Sequence, residues 1–206
     1  TTQGGKVTVA YNGPPSADVS KGTQDVTLYK FSMTAAEQAV EIKRMGVVIA
    51  GTAGGFVRGS ASTKYFTDIK IKNLDTGTVV MGPKEHTAAA SATTTGATPC
   101  ASSGTLCYTD GWTLDSGKTV NLAITADLAN AEDAGADEFF DEGYAVTLEG
   151  ASTTSIREIS TGQYLAVADV VGAGTAVTGN TMTVRSSGLT VAVASTPVSG
   201  STVKGS

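Results

Sequence analysis

The residues of this chain best equipped for chemistry stand close together. Glu132, Asp133, Asp137, Glu138, Asp141 and Glu142 crowd into the stretch ANAEDAGADEFFDEG. Clustered carboxylates offer hard oxygen ligands to a divalent cation, calcium above all. Asp133, Asp137, Glu138 and Asp141 are the candidate metal ligands, and Ca2+ is the only cofactor the sequence suggests. Their spacing matches no EF-hand loop, since the glycine is misplaced and the closing bidentate Glu lacks its partners. The same residues suit a solvated acidic helix or loop, with Asp133 and Asp137 on one face and Phe139 and Phe140 packed inward. Asp68, Asp110 and Asp127 would reach a metal only if the fold brought them to it.

Catalysis asks for convergent reactive groups, and few are visible. His86 is the only histidine; it lies in Pro-Lys-Glu-His-Thr with no cysteine or second histidine to form a dyad. No G-x-S-x-G elbow occurs. The glycine-rich GTAGGFVRG, residues 51–59, lacks the Lys-Ser/Thr ending and the strand-to-helix setting of a phosphate loop. No catalytic residues are expected, and no enzyme.

Cys100 and Cys107 enclose six residues, all small or polar except Leu106, with Gly104 available for a turn. That spacing suits a disulfide across a hairpin tip or short loop, worth roughly 2.5 kcal/mol in the chain-entropy model. A zinc site needs four ligands, which one histidine and two cysteines do not supply. A disulfide implies an oxidising, extracytoplasmic setting. Trp112 stands nearby as the sole tryptophan, and aromatics are 6% of the chain. It reads as packing against that bond or the core, not as a platform for sugar.

The elements holding these residues read as strands. The chain has 206 residues, 25 of them glycine, with 16% charged residues and abundant Thr, Ser, Ala and Val. Small and β-branched residues between turn formers favour an all-β fold. A net charge of −5 with no Lys/Arg cluster argues against nucleic acid. No apolar stretch is long enough for a membrane helix, so no membrane insertion is expected. TTQGG at the start is compatible with a mature N-terminus after signal cleavage.

QDVTLYKFSM alternates, and Thr34-Ala35-Ala36-Glu37 after it is a candidate capping box for one helical turn. Residues 34–45 fit one amphipathic helix too; the β-branched Val40, Ile42 and Val47 to Ile49 favour a turn followed by a strand. YFTDIKIKNLDTGTVV gives two strands around an Asn73-to-Gly77 turn. Pro83 to Tyr108 reads as a long polar surface loop, whose Thr93 to Thr95 could accept O-linked sugar; no N-x-Ser/Thr sequon occurs. Ser116-Gly117-Lys118 turns into a strand ending at Asp127, and YAVTLEGAS, residues 155–159, 164–171 and 181–185 supply more. Eight to ten short strands are expected, spaced as in a β-sandwich.

The chain also repeats its opening. KVTVAYNGPPSADVSKGT, residues 6–23, is echoed by GLTVAVASTPVSGSTVKGS, residues 188–206. Val7, Val9 and Tyr11 correspond to Leu189, Val191 and Val193, about 182 residues on, and Lys21-Gly22-Thr23 to Lys204-Gly205-Ser206 after one single-residue gap. A tandem array, strand donation between subunits, and chance are the three explanations. The first two share a basis: an alternating strand buries three apolar side chains, each worth roughly 1.5–3 kcal/mol, against an open sheet edge.

The order of strand, Thr-Pro spacer, Lys-Gly-Ser/Thr, Asp25-Val26-Thr27-Leu28-Tyr29-Lys30-Phe31 and Thr34-Ala35 resembles repeated immunoglobulin-like β-sandwich domains of bacterial surface-layer and cell-surface filament proteins. So does Ser116-Gly117-Lys118-Thr119-Val120 running into Ala126-Asp127-Leu128. The resemblance implies a secreted structural module without catalysis and carries over no binding residues. The expected architecture is an all-β, immunoglobulin-like antiparallel sandwich with long loops and a terminal strand exchanged between units. Residues 1–23 would be an N-terminal arm, 24–187 the sandwich, and 188–206 the C-terminal strand. Identical copies would polymerise head to tail on the cell surface through Val7, Val9, Tyr11, Leu189, Val191 and Val193, with the N-terminal arm favoured as donor. The alternative is a secreted adhesin or carbohydrate-binding module, calcium-dependent or not.

Overall fold

Alternation of apolar and polar residues dictates most of the architecture. The computed structural model describes residues 4–52, 55–56, 64–85, 105–132, 139–150, 153–172 and 176–186. In chain order the strands are β1 (Lys6–Gly13), β2 (Ala17–Ser20), β3 (Val26–Ala36), β4 (Val40–Gly51), β5 (Gly55–Phe56), β6 (Phe66–Asn73), β7 (Val79–Lys84) and β8 (Leu106–Tyr108). They continue with β9 (Trp112–Leu114), β10 (Thr119–Leu128), β11 (Glu142–Leu148), β12 (Ser155–Glu158), β13 (Val170–Val171), β14 (Val177–Thr178) and β15 (Met182–Arg185). A 3-10 turn, Val167–Asp169, precedes β13.

Two sheets form. One has the order β13-β1-β3-β10-β6-β7; the other is built on β12-β4-β11-β15-β2, with β14 on β11 and β5, β8 and β9 on β4. The order β1-β3-β10-β6 opposite β2-β15-β11-β4 is that of an immunoglobulin-like sandwich. Its first strand crosses between the sheets: β1 pairs antiparallel with β3, and β2 pairs parallel with β15. Since β1 also pairs parallel with β13, both sheets are mixed at these edges, not purely antiparallel as expected.

Long β4 is the hub of the second sheet. Ile42 lies between Ile156 and Trp112, and Val47 between Leu148 and Leu106. Several short strands share one long partner, so the described residues hold fifteen strands, more than the eight to ten expected. In β3 both Leu28 and Tyr29 are buried because a bulge interrupts the β3–β10 ladder there.

Three further expectations are corrected. The helical turn at Thr34 to Glu37 does not form: Thr34, Ala35 and Ala36 stay in β3, paired with Thr8, Val7 and Lys6. Residues 6–20 are not an arm but two strands of this chain's own sandwich. Within the stretch read as a surface loop, Pro83 and Lys84 belong to β7 and Leu106–Tyr108 is β8. The turns at Asn73 and at Gly117 form as read, the first closed by Gly77 N–H donating to the Asn73 carbonyl and the second by Lys118 N–H donating to Asp115.

The core between the sheets is aromatic at one end. Phe139 stacks on Tyr65 at 4.5 Å and meets Phe66 edge-on at 5.5 Å. Buried phenols keep partners: Tyr144 donates to the Phe139 carbonyl at 3.0 Å and Tyr108 to the Ile69 carbonyl at 2.9 Å. Burial pushes the pKa of Tyr29, Tyr108 and Tyr144 up. Phe139→Ala should lower stability by about 3–5 kcal/mol with an unchanged m-value, as measured by chemical denaturation.

Candidate assembly site

β1 is seated along its whole length. Val7 and Val9 are 0% and 7% exposed, while Lys6, Thr8 and Ala10 face solvent. At its entrance the Gly5 N–H donates to Glu158 Oε1, and the Thr161 hydroxyl donates to Glu158 Oε2 at 2.6 Å. Those bonds, Thr161 foremost, hold the Glu158 carboxyl below its ordinary range. At its middle, Gly172 passes so near that a Cβ would lie 2.0 Å from the Val9 carbonyl oxygen, and its φ of +83° also demands glycine.

The end of β1 is fastened by Tyr11. Its half-buried ring lies 4.9 Å from that of Tyr29. Its hydroxyl donates to the Pro14 carbonyl at 3.1 Å and accepts from the Asn180 N–H at 2.9 Å. Asn180 Nδ2 donates to the same Pro14 carbonyl at 2.9 Å. One small network thus ties β1, the turn into β2, and the approach to β15. Among the described residues, β1 is laddered on its outer side by β13 at Val7 and Thr8.

Val7, Val9 and Tyr11 therefore serve their own molecule, and the N-terminal strand is not the free donor expected. A β-strand has two edges and one apolar face, and here β3, β13 and the core already use them. Leu189, Val191 and Val193 lie outside the described residues. Cys107, in β8, is disulfide-bonded; Cys100, its expected partner, lies outside the described residues. So do His86, Asp133, Asp137 and Glu138.

Asp141, the remaining candidate metal ligand, faces a cation of the protein itself. Arg185 Nη1 stands 3.5 Å from Asp141 Oδ1, and the Ser186 hydroxyl donates to Oδ2 at 2.9 Å. Arg185 also pairs with Asp18 at 3.2 Å, linking β15 to β2. Among the described residues no group of three or more His, Cys, Asp and Glu is placed to hold a metal ion. Asp68 and Asp127 join a different network. Asp25 Oδ2 accepts from Lys72 Nζ at 2.6 Å and Oδ1 from the Thr125 hydroxyl at 2.9 Å. Asp127 accepts from the Asp25 N–H at 2.7 Å, and Lys70 pairs with Asp68 and, at 3.6 Å, with Asp25. Asp110 accepts from the Gly82 N–H at 2.9 Å. Trp112 is partly buried against the core.

Asn180, Glu158 and Asp25 were invisible as positioning residues in the sequence. Their partners lie 169, 153 and up to 102 residues away, and no local spacing marks such bonds.

No protein-family model matches this chain, and no curated protein matches it in sequence. The resemblance to bacterial surface domains thus stands on the quoted residues alone. Among solved structures, a CaDoc0917–CaCohA2 complex is similar at TM-score 0.34 and 13% identity, over 86% of this chain and 99% of that one. The CssB subunit of enterotoxigenic Escherichia coli colonization factor CS6, complemented with a donor strand from CssA, is similar at TM-score 0.32 and 11% identity, over 87% and 97%. AvmM, which catalyses macrocyclization in alchivemycin A biosynthesis, is similar at TM-score 0.32 and 9% identity, over 91% and 93%. The three differ in what they do, and at these TM-scores none bears on the function of this chain.

Acid should weaken the fold through its paired carboxylates. Lys72 foremost holds the Asp25 carboxyl low against the effect of burial; Arg157 does so for Glu41, and Asn121 for Asp75. A carboxyl with a depressed pKa stabilises the fold fully above its unfolded value of about 4 and loses that contribution as pH falls through the folded value. Asp25→Asn should therefore depress the melting temperature at pH 7, and the gap from wild type should shrink at pH 3.

Proposed function

We propose that this chain is a non-catalytic structural unit of an extracellular filament or surface layer, joined head to tail to identical copies. In each joint, residues 188–206 of one unit supply a strand to the sandwich of the next. One observation carries the reading. Leu189, Val191 and Val193 repeat the apolar positions with which β1 covers the core, and Thr190 and Ala192 repeat its exposed ones.

The physical basis is burial plus pairing. Three apolar side chains and a backbone edge leave water together when a strand is added to a sheet. Donor and acceptor are different surfaces, so the contact is heterologous and propagates without closing. The donor is the C-terminal segment, because residues 6–20 are committed to their own sheets. The disulfide of Cys107 fits an oxidising compartment, as an extracellular setting requires.

A secreted binding module is the second reading. The segment between β12 and β13 favours it, since Ile159, Tyr164 and Val167 are each at least half exposed there. Isolated exposed apolar residues are common, but a run of them suits a ligand or protein surface.

Electron microscopy of the purified chain, with two aspartate variants beside it, tests the assembly reading. Wild type should form polymers of regular repeat. Val191→Asp should stay folded by circular dichroism yet form none. Val9→Asp should unfold, because it buries an unpaired carboxylate. Wild-type polymers from Val191→Asp, or none from wild type, would reject the assignment, and glycan binding by a monomer would install the second reading.

A further inference from the structure

We infer that the outward face of the sheet built on β4, along the row Thr113, Glu41, Arg157 and Tyr164, is a binding site for an acidic polysaccharide. Strand register makes the row. Thr113 of β9 stands opposite Glu41 of β4, Glu41 opposite Arg157 of β12, and Arg157 is bridged to Tyr164. Their neighbours Leu114, Val40, Ile42 and Ile156 are buried, so alternation turns the row to solvent. At the usual strand spacing it spans about 14 Å, room for more than one sugar ring. Tyr164 is held in place by a hairpin. Glu158 N–H donates to the Gln163 carbonyl at 2.8 Å and Leu165 N–H to that of Ile156 at 2.9 Å, with Gly162 turning the chain at φ +73°.

The side chains of the row are those that recognise sugars. Tyr164 is 61% exposed, and its ring offers a stacking surface to the C–H face of a pyranose. Trp112 does not compete for that role, since it lies on the core side beside Ile42. Next to the ring, Glu41 accepts from Lys43 at 3.1 Å and from Arg157 Nη2 at 2.6 Å. Both long cations are thus ordered before any ligand arrives, which lowers the cost of binding. Charge selects an acidic sugar. Strands β4, β9 and β12 carry three cations, Lys43, Arg44 and Arg157, against two carboxylates, and Glu158 is turned away to Gly5 and Thr161. In a chain of net charge −5 that is a local positive excess. Arg157 Nε is shut away from water and has no partner among the described residues. A sugar carboxylate laid against that edge of the guanidinium supplies the missing acceptor. The site gives the exposed segment of the second reading a ligand, and a filament unit and a monomer carry it alike.

The test is binding of the full-length chain to immobilised polygalacturonate, read by biolayer interferometry. Wild type should bind it more tightly than dextran, a neutral glucan, and more tightly than polyglutamate, which has carboxylates without rings. Tyr164→Ala should weaken binding about tenfold by removing the stacking surface, and Arg157→Gln about as much by removing a charge-assisted bond. Lys43→Gln takes the place of Arg157→Gln if circular dichroism shows the latter unfolded. Lys30→Gln, which removes the same charge from β3 in the other sheet, should bind as wild type. The inference is overturned if wild type does not bind polygalacturonate, or if dextran or polyglutamate binds as tightly. It is equally overturned if Lys30→Gln weakens binding as much as the Arg157 or Lys43 variant. Polymers seen by electron microscopy neither require nor exclude this binding, so assembly and the sugar site fail separately.

Discussion

A sheet edge carries unpaired N–H and C=O groups, and closing such edges is the constraint on which this sandwich depends. One short segment closes an edge in both sheets. Residues 6–13 cover β3, the chain crosses at Gly13 and Pro14, and residues 17–20 cover β15. The stitching goes on beyond the strands: Lys21 N–H donates to the Arg185 carbonyl, Gly22 N–H to Ala129, and Leu128 N–H to Thr23. Remove the segment, and Met33, Phe31 and Val184 lose cover on one side together with their backbone neighbours. The first strand is therefore the segment that closes both sheets on this side.

Against that edge, the centre of the molecule is redundant. β4 has partners on both sides for nearly its full length, so loss of one short neighbour leaves the other. Apolar burial there is continuous from Val40 to Ile49 on the core face. β1 has two ladders, a long one with β3 and a short one with β13.

Much of the fold was legible because period two is a local property. Val7 and Val9, the alternation of β6, and the turns at Asn73 and Gly117 could all be read in windows of a few residues. The misread helical turn shows the limit. Thr34 to Glu37 carries a capping-box pattern, yet the backbone bonds of Thr34 and Ala35 go to β1 and β10, strands far away in the sequence. The parallel pairings of β1 with β13 and β2 with β15 were equally hidden, since nothing local distinguishes a parallel partner. The candidate site divides likewise. Its apolar positions announce themselves by spacing, whereas Glu158, Asn180 and Gly172 are recruited by the fold from the other end of the chain.

Polar chemistry follows the same logic of fastening. Asp141 is spent on Arg185, Asp25 on Lys72 and Thr125, and Glu158 on Gly5 and Thr161, so these carboxylates serve as ties between strands. Whether residues 188–206 of one molecule pair with β3 of another, as strand donation between units asks, can be read by a covalent trap. Ser32 stands opposite Ala10 on the outer face of the sheet, and Ala192 is the residue that corresponds to Ala10. Chains carrying Ser32→Cys, mixed with chains carrying Ala192→Cys and oxidised, should yield a disulfide-linked dimer of the two kinds. A mixture that stays monomeric under denaturing, non-reducing electrophoresis would contradict strand donation between units along β3.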